Sequence, residues 1–197
     1  PVANLDWAYI NFKDVSIYSP AAVAFKANKA LTGDGRYTNT VYGTTEYRKF
    51  WTEERRRCLE GYQPEKDGVA IGPRITGEHY FYLNYCQIDR EVLIDEKTGD
   101  SAKQLDFPDF LLMDYYWFLE LEKNENPGRY GLPLHEKKGM IVAKARRKGW
   151  SFKNAAGLAW KYSFFKRSYC IIGTYLKDHA VATFNMTMNV LNFLDEY

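Results

Sequence analysis

Residues 139–175 hold two short apolar runs separated by a basic loop and a helix-patterned stretch, and this order constrains the fold more than any other part of the chain. The first run, 139–145 (GMIVAKA), has the length of a buried parallel strand. Residues 152–165 (FKNAAGLAWKYSFF) then follow helical spacing, with small side chains at Ala155, Ala156, Gly157 and Ala159 that would let a helix lie close on a sheet. A second run, 169–175 (YCIIGTY), completes a strand–loop–helix–strand unit of the size of a right-handed crossover. The expected fold class is therefore α/β with a mainly parallel sheet.

The loop in that unit, 144–151 (KARRKGWS), is expected to bind phosphate. A loop leaving the carboxyl end of a strand for a helix N-terminus presents unsatisfied backbone N–H groups, and the helix dipole adds partial positive charge there. Gly149 permits a tight turn or a close approach to an oxygen, and Ser151 offers the hydroxyl that a Mg²⁺ ion on the β- and γ-phosphates needs. Lys144, Arg146, Arg147 and Lys148 supply positive charge. The standard pattern GxxxxGK[ST] is not met, because its first Gly is absent and Trp150 stands where Lys would follow Gly149. A basic surface turn ahead of a helix is the other reading of the same residues.

Charge and cysteine content narrow the remaining classes. Basic residues number 27 against 25 acidic ones, so a nucleic-acid surface, if there is one, is local. Cys58, Cys86 and Cys170 are far apart and form no CxxC pair, which argues against a disulfide framework or a zinc site and fits a reducing cytoplasm. No run reaches the ~18 apolar residues needed to span a membrane, and residues 1–10 lack a signal-peptide pattern. The 16 tyrosines, many of them between Tyr80 and Phe118, suit a broad packing surface, with base stacking as the sharper alternative.

Ahead of the loop, residues 1–45 read as an arm or flanking region with a short helix from Pro20, and 46–197 as the domain that holds the loop. Residues 45–59 (TEYRKFWTEERRRCL) read as a helix whose Arg55, Arg56 and Arg57 either touch a phosphate backbone or pair with Glu53 and Glu54. Residues 61–73 and 124–131 read as loops, 78–88 (EHYFYLNYCQI) as a helix, 95–100 as a turn, and 107–121 as a helix behind Pro108.

The stretch KARRKGWSFKNAA resembles the deviant Walker A motif of the large terminase subunits, the ATPases that package DNA into tailed-phage heads. In several of these the lysine opens the loop as K-x-x-x-x-G-aromatic-S, the pattern formed here by Lys144, Gly149, Trp150 and Ser151. WTEERRRCLEGY, ITGEHYFYLNYCQI and FPDFLLMDYYWF are similar to the region ahead of that motif, so the likeness spans most of residues 40–197. It implies an ASCE-type P-loop NTPase fold, with ATP and Mg²⁺ as cofactors. It also implies phosphate contact from Lys144, an auxiliary role for Arg146 or Arg147, metal coordination by Ser151, and a nucleotide cradle made by 144–151 with Ala145 and Lys148 included. An adenine-holding motif would lie upstream, around Asp114, Tyr115 and Tyr116, although the usual Gln is absent there.

For the complete protein the resemblance implies ATP-driven translocation of double-stranded DNA in the host bacterial cytoplasm. The partners would be the portal protein and the small terminase subunit, the assembly a homo-oligomeric ring, and a downstream nuclease domain would cut the DNA. A Walker B strand, four apolar residues then Asp-Glu, is also needed. Residues 189–196 (NVLNFLDE) look like one, but Ala180, Phe184, Thr187, Val190, Leu191 and Leu194 recur at helical spacing, so this segment is expected to be helix. The chain is then expected to stop before Walker B and the nuclease, and by itself to bind nucleotide poorly and hydrolyse it hardly at all. Two alternatives stay open: a helicase-like P-loop motor, and a non-enzymatic module whose basic loop grips DNA or a protein partner.

Overall fold

The computed structural model describes residues 17–95, 100–134, 140–143 and 149–194. Pro20, whose ring presets a helical φ, opens α1 (Pro20–Thr32), and Gly33 closes it by donating its N–H to Lys29 O. Helix α2 (Thr45–Glu60) starts at the Thr44 hydroxyl, which accepts from the Tyr47 N–H at 3.3 Å, and Glu46 sits at its positive end. It stops at Gly61, where φ is 100° and an added Cβ would lie 2.3 Å from Ile75 O. Only glycine lets the chain turn there into the antiparallel bridge between Tyr62 and Ile75.

A small hairpin, β1 (Glu65–Lys66) with β2 (Val69–Ala70), leads to α3 (Gly77–Tyr85), whose residues are all buried. Next come the antiparallel pair β3 (Ile88–Asp95) and β4 (Asp100–Asp106), then α4 (Leu112–Glu125), a 3₁₀ turn at Pro127–Tyr130, α5 (Trp150–Phe164) and α6 (Lys177–Leu194). The described residues are thus α/β, with six α-helices and two two-stranded sheets, and every strand pair among them is antiparallel.

Three expectations need correction. No parallel sheet is present among the described residues. Met140–Ala143 and 169–175 are not strands, and Ile141 is fully exposed, with Tyr169, Ile171 and Tyr175 at least 80% exposed. A strand exists only where a neighbour takes up its N–H and C=O groups, and these runs have no strand partner among the described residues. Helix α4 begins at Leu112 and not near 107, since Asp109 is drawn to Arg90 (Oδ1 to Nη1 3.1 Å, Oδ2 to Nη2 2.5 Å) and is not helical. The β3–β4 pair was not foreseen, because its residues at 101–104 are exposed and carry no apolar alternation.

The chain forms two compact units, Pro1–Phe81 with Phe110–Lys148, and Tyr82–Asp109 with Gly149–Tyr197. The boundaries between the units fall inside α3, ahead of α4 and at the start of α5. The first unit centres on a column of rings: Tyr18 stacks on Phe110 at 4.1 Å, and His79 lies between Phe110 at 5.5 Å and Phe118 at 4.8 Å. Beside it a second cluster joins Phe25, Tyr37 and Trp51.

Two charged clusters in the same unit are well paired. The Tyr80 hydroxyl donates to Glu54 Oε2 at 2.7 Å, and Arg57 Nη1 donates to Glu54 Oε1 at 2.9 Å. Burial, and then Glu54, push the Tyr80 hydroxyl far above its ordinary pKa, so it stays a donor. Glu122 accepts from Arg74 through both oxygens (3.0 and 3.1 Å), from Arg129 at 2.7 Å, and from the Tyr130 hydroxyl. Arg74 and Arg129 also donate to Glu60 O, so two cations close the negative end of α2.

Burial by itself would raise the Glu122 pKa, but the hydrogen bonds from Arg74 and Tyr130 outweigh it and hold the value below 4.5. A depressed carboxylate contributes stability that is present above its unfolded pKa and is lost as pH falls through the folded value. Urea unfolding is therefore expected to show constant stability from this group down to about pH 5 and a decline below it. Glu122→Gln should remove that decline and lower stability at pH 7 by about 2 kcal/mol.

In the second unit α5 packs against α6, Phe107 meets Phe193 edge-on at 6.0 Å, and Arg90 ties β3 to Asp106, Phe107 O and Asp109. Cys58 and Cys86 are buried and Cys170 is exposed, and no disulfide joins any of the three. Among the described residues no helix is long and apolar enough to cross a membrane.

Candidate phosphate-binding turn

Helix α5 runs from Trp150 to Phe164 and is entered through Gly149, which is left-handed at φ 65° and ψ 16° and places no side chain over the helix end. Lys153 N–H donates to Gly149 O at 3.2 Å, closing the first turn. The Ser151 and Phe152 N–H groups precede that bond and have no carbonyl within the helix to accept them. With no side-chain cap, this end of α5 offers donors and a positive dipole to an anion.

Gly149 and Ser151 are exposed and Trp150 is half-buried, so the hydroxyl expected to hold the metal faces solvent at the first turn. The positive φ at Gly149 supports the conformational role assigned to it. Lys144, Ala145, Arg146, Arg147 and Lys148 lie outside the described residues. Among the described residues no group of His, Cys, Asp and Glu could hold a metal ion by itself. A Mg²⁺ ion that takes most of its oxygens from phosphate and water needs no such group.

Asp114, Tyr115 and Tyr116 come together on the first turn of α4, in the other compact unit. Asp114 is 2% and Tyr115 7% exposed, while Tyr116 is half-buried with its ring 5.6 Å from that of Tyr115. Burial, and then Tyr116, raise the Tyr115 pKa. Asp114 and Tyr115 thus belong to the core, and Tyr116 alone of the three offers partial access. Of the α2 arginines, Arg56 pairs with Glu53 and Glu60, and Arg57 with Glu53 and Glu54, while Arg55 is exposed. The hydrogen bonds of Arg56 hold the Glu53 carboxyl at about 2. Pairing therefore engages two of the three arginines within their own helix.

Comparison with known proteins places the chain beside none of them. No family model, curated protein or solved structure matches it.

Two polar residues near the turn escaped the sequence reading. Lys153 is 3% exposed, and its spacing with Ala156, Gly157 and Trp160 puts it on the buried face of α5, a signal the periodicity carried. Tyr82, on α3, is 2% exposed, and its hydroxyl lies 4.0 Å from where a Cβ on Gly149 would stand, a proximity no local pattern could indicate. A groove of about 710 Å³ lies along the C-terminal halves of α5 and α6 and the segment joining them, lined by residues including Leu158, Tyr162, Tyr169, Phe184 and Met188. Its walls are largely apolar, and Gly149 and Ser151 are not among the residues that line it.

Proposed function

We propose that this chain is the front part of the ATPase of a phage terminase large subunit, with 144–151 as its phosphate loop. The observation that carries the reading is a basic stretch, KARRKG, running into an uncapped helix N-terminus through a left-handed Gly149, followed by an exposed Ser151. In this reading the domain is of the ASCE P-loop type, whose parallel sheet is not formed by the described residues. Lys144 would contact the phosphates, Arg146 or Arg147 would assist, and Ser151 would ligate Mg²⁺. Bound MgATP would supply the phosphoryl-transfer chemistry, while the chain's own part is to orient the phosphates and neutralise their charge.

In the complete motor that hydrolysis would drive double-stranded DNA through a ring assembled on the portal, with the small subunit as partner and a nuclease domain downstream, in the cytoplasm of the bacterial host. The second reading is a non-enzymatic DNA- or partner-binding module, and the lack of a parallel sheet among the described residues favours it. A helicase-like motor would use the same loop.

Ser151→Ala separates these readings in the protein that carries this chain. If the hydroxyl ligates Mg²⁺, calorimetry should show MgADP binding weakened about tenfold and metal-free ADP binding unchanged. Equal losses with and without Mg²⁺ would contradict the assignment, and the absence of any nucleotide binding would leave the DNA- or partner-binding module as the reading.

A further inference from the structure

We infer that the exposed face of α2 is a contact surface for the phosphodiester backbone of duplex DNA, with Arg48, Lys49 and Arg55 as the cations that meet the phosphates. Helix α2 buries Glu54 and Cys58 and leaves Arg48, Lys49, Thr52, Arg55, Arg56 and Leu59 exposed. Thr52 stands three or four residues from each of the four cations, so all of them are its neighbours on the helix surface. Arg48 and Arg55 are two turns apart, about 10 Å along the axis.

Charge decides what this face can hold. Glu53 accepts from Arg56 at 2.8 and 2.9 Å and from Arg57 at 3.0 Å, Glu54 from Arg57 at 2.9 Å, and Glu60 from Arg56 at 3.0 Å. Three of the helix's four carboxylates are thus engaged by Arg56 and Arg57. The fourth, Glu46, lies on the first turn, three residues from Lys49, and shares no face with Arg48 or Arg55. No carboxylate is in salt-bridge reach of Arg48, Lys49 or Arg55 among the described residues. Arg48 Nη2 donates to Gly43 O at 3.2 Å, but a carbonyl neutralises no charge and the guanidinium keeps four other N–H donors. The face is therefore positive, with one hydroxyl donor at its centre, and complements a row of anions. It carries no aromatic side chain on which a base could stack and no Asn or Gln to read an adenine edge. A duplex, which turns its phosphates outward at one charge per about 1.7 Å of axis, matches these properties better than a single strand does.

The inference does not need residues 144–151 to bind nucleotide, and its test keeps the two apart. In the protein that carries this chain, Arg48→Gln, Lys49→Gln and Arg55→Gln are combined, and binding to a 30-base-pair duplex of mixed sequence is followed by fluorescence anisotropy across a salt series. Three lost phosphate contacts should lower the slope of log K against log salt by about 2.7 and weaken binding on the order of 100-fold at 0.1 M salt, with MgADP affinity unchanged. Arg48→Lys with Arg55→Lys should keep the wild-type slope, because a backbone contact needs a charge and a donor and reads no base. Removing as many charges elsewhere, by Lys29→Gln, Lys66→Gln and Lys103→Gln, should leave it nearly unchanged. An unchanged slope in the first variant would overturn the inference. So would an equal loss in the lysine variant, which would mark a structural role, or in the distant triple variant, which would mark net charge alone. A loss for duplex RNA or single-stranded DNA without one for duplex DNA would also overturn it. A wild-type protein that binds no duplex DNA would do the same and leave the phosphate-loop reading untouched.

Discussion

Lys144→Ala in the protein that carries this chain is expected to lower the rate of ATP hydrolysis about 100- to 1,000-fold while double-stranded DNA binding is retained. Phosphoryl transfer leaves the protein little to do except place charge and donors around the γ-phosphate, so loss of the one lysine at that position is felt in the rate. Trp150 occupies the place of the usual lysine, and Lys153, one turn into the helix, is 3% exposed on the packed face of α5. Neither is placed to substitute at the front of the loop. Steady-state hydrolysis measured beside DNA binding at two salt concentrations checks the result. A DNA-binding module would show the opposite pattern, with weaker DNA binding and a salt slope smaller by about one.

Phe118→Ala is expected to destabilise the first compact unit by about 3–5 kcal/mol. Phe118 is 1% exposed and ends the column Tyr18–Phe110–His79–Phe118, stacked on His79 at 4.8 Å and 20°. Removing the ring leaves a cavity and deprives the imidazole of one of its two stacking faces. Urea unfolding followed by tryptophan fluorescence measures the loss, with the midpoint falling and the slope unchanged if unfolding stays two-state. A loss below about 1 kcal/mol would mean that the column is not a core element.

Helices were legible where one face carries the apolar residues and a cap marks the end. Thr44 with Tyr47, and Pro20 with Gly33, bound α2 and α1 close to where the sequence puts them. The helical spacing of Thr187 and Val190 places both on the buried side of α6, which stays helical to Leu194, so the segment at 189–194 that imitates a Walker B strand is not one. Apolar runs were a poorer guide. Residues 140–143 and 169–175 have strand composition, yet a strand depends on its neighbours, and composition cannot supply them. The β3–β4 pair shows the converse, since its backbone pairing and the Arg90–Asp109 contact hold residues that no hydrophobic pattern announces.

At the candidate turn, the left-handed backbone of Gly149 was legible because conformational freedom is a property of the residue itself. The buried position of Lys153 was legible in principle from its spacing with Ala156, Gly157 and Trp160. Asp114 and Tyr115 show the limit of reading an aromatic and polar cluster as a ligand site, because burial in the core uses the same residue types.

Amide hydrogen exchange of the protein that carries this chain, with and without saturating MgADP, tests the central claim most directly. A phosphate held at the α5 N-terminus should slow exchange at the Ser151 and Phe152 N–H groups, and Lys144→Ala should abolish that protection. Unchanged exchange at these two amides, with MgADP bound and protection appearing elsewhere, would contradict the assignment of 144–151 as the phosphate loop.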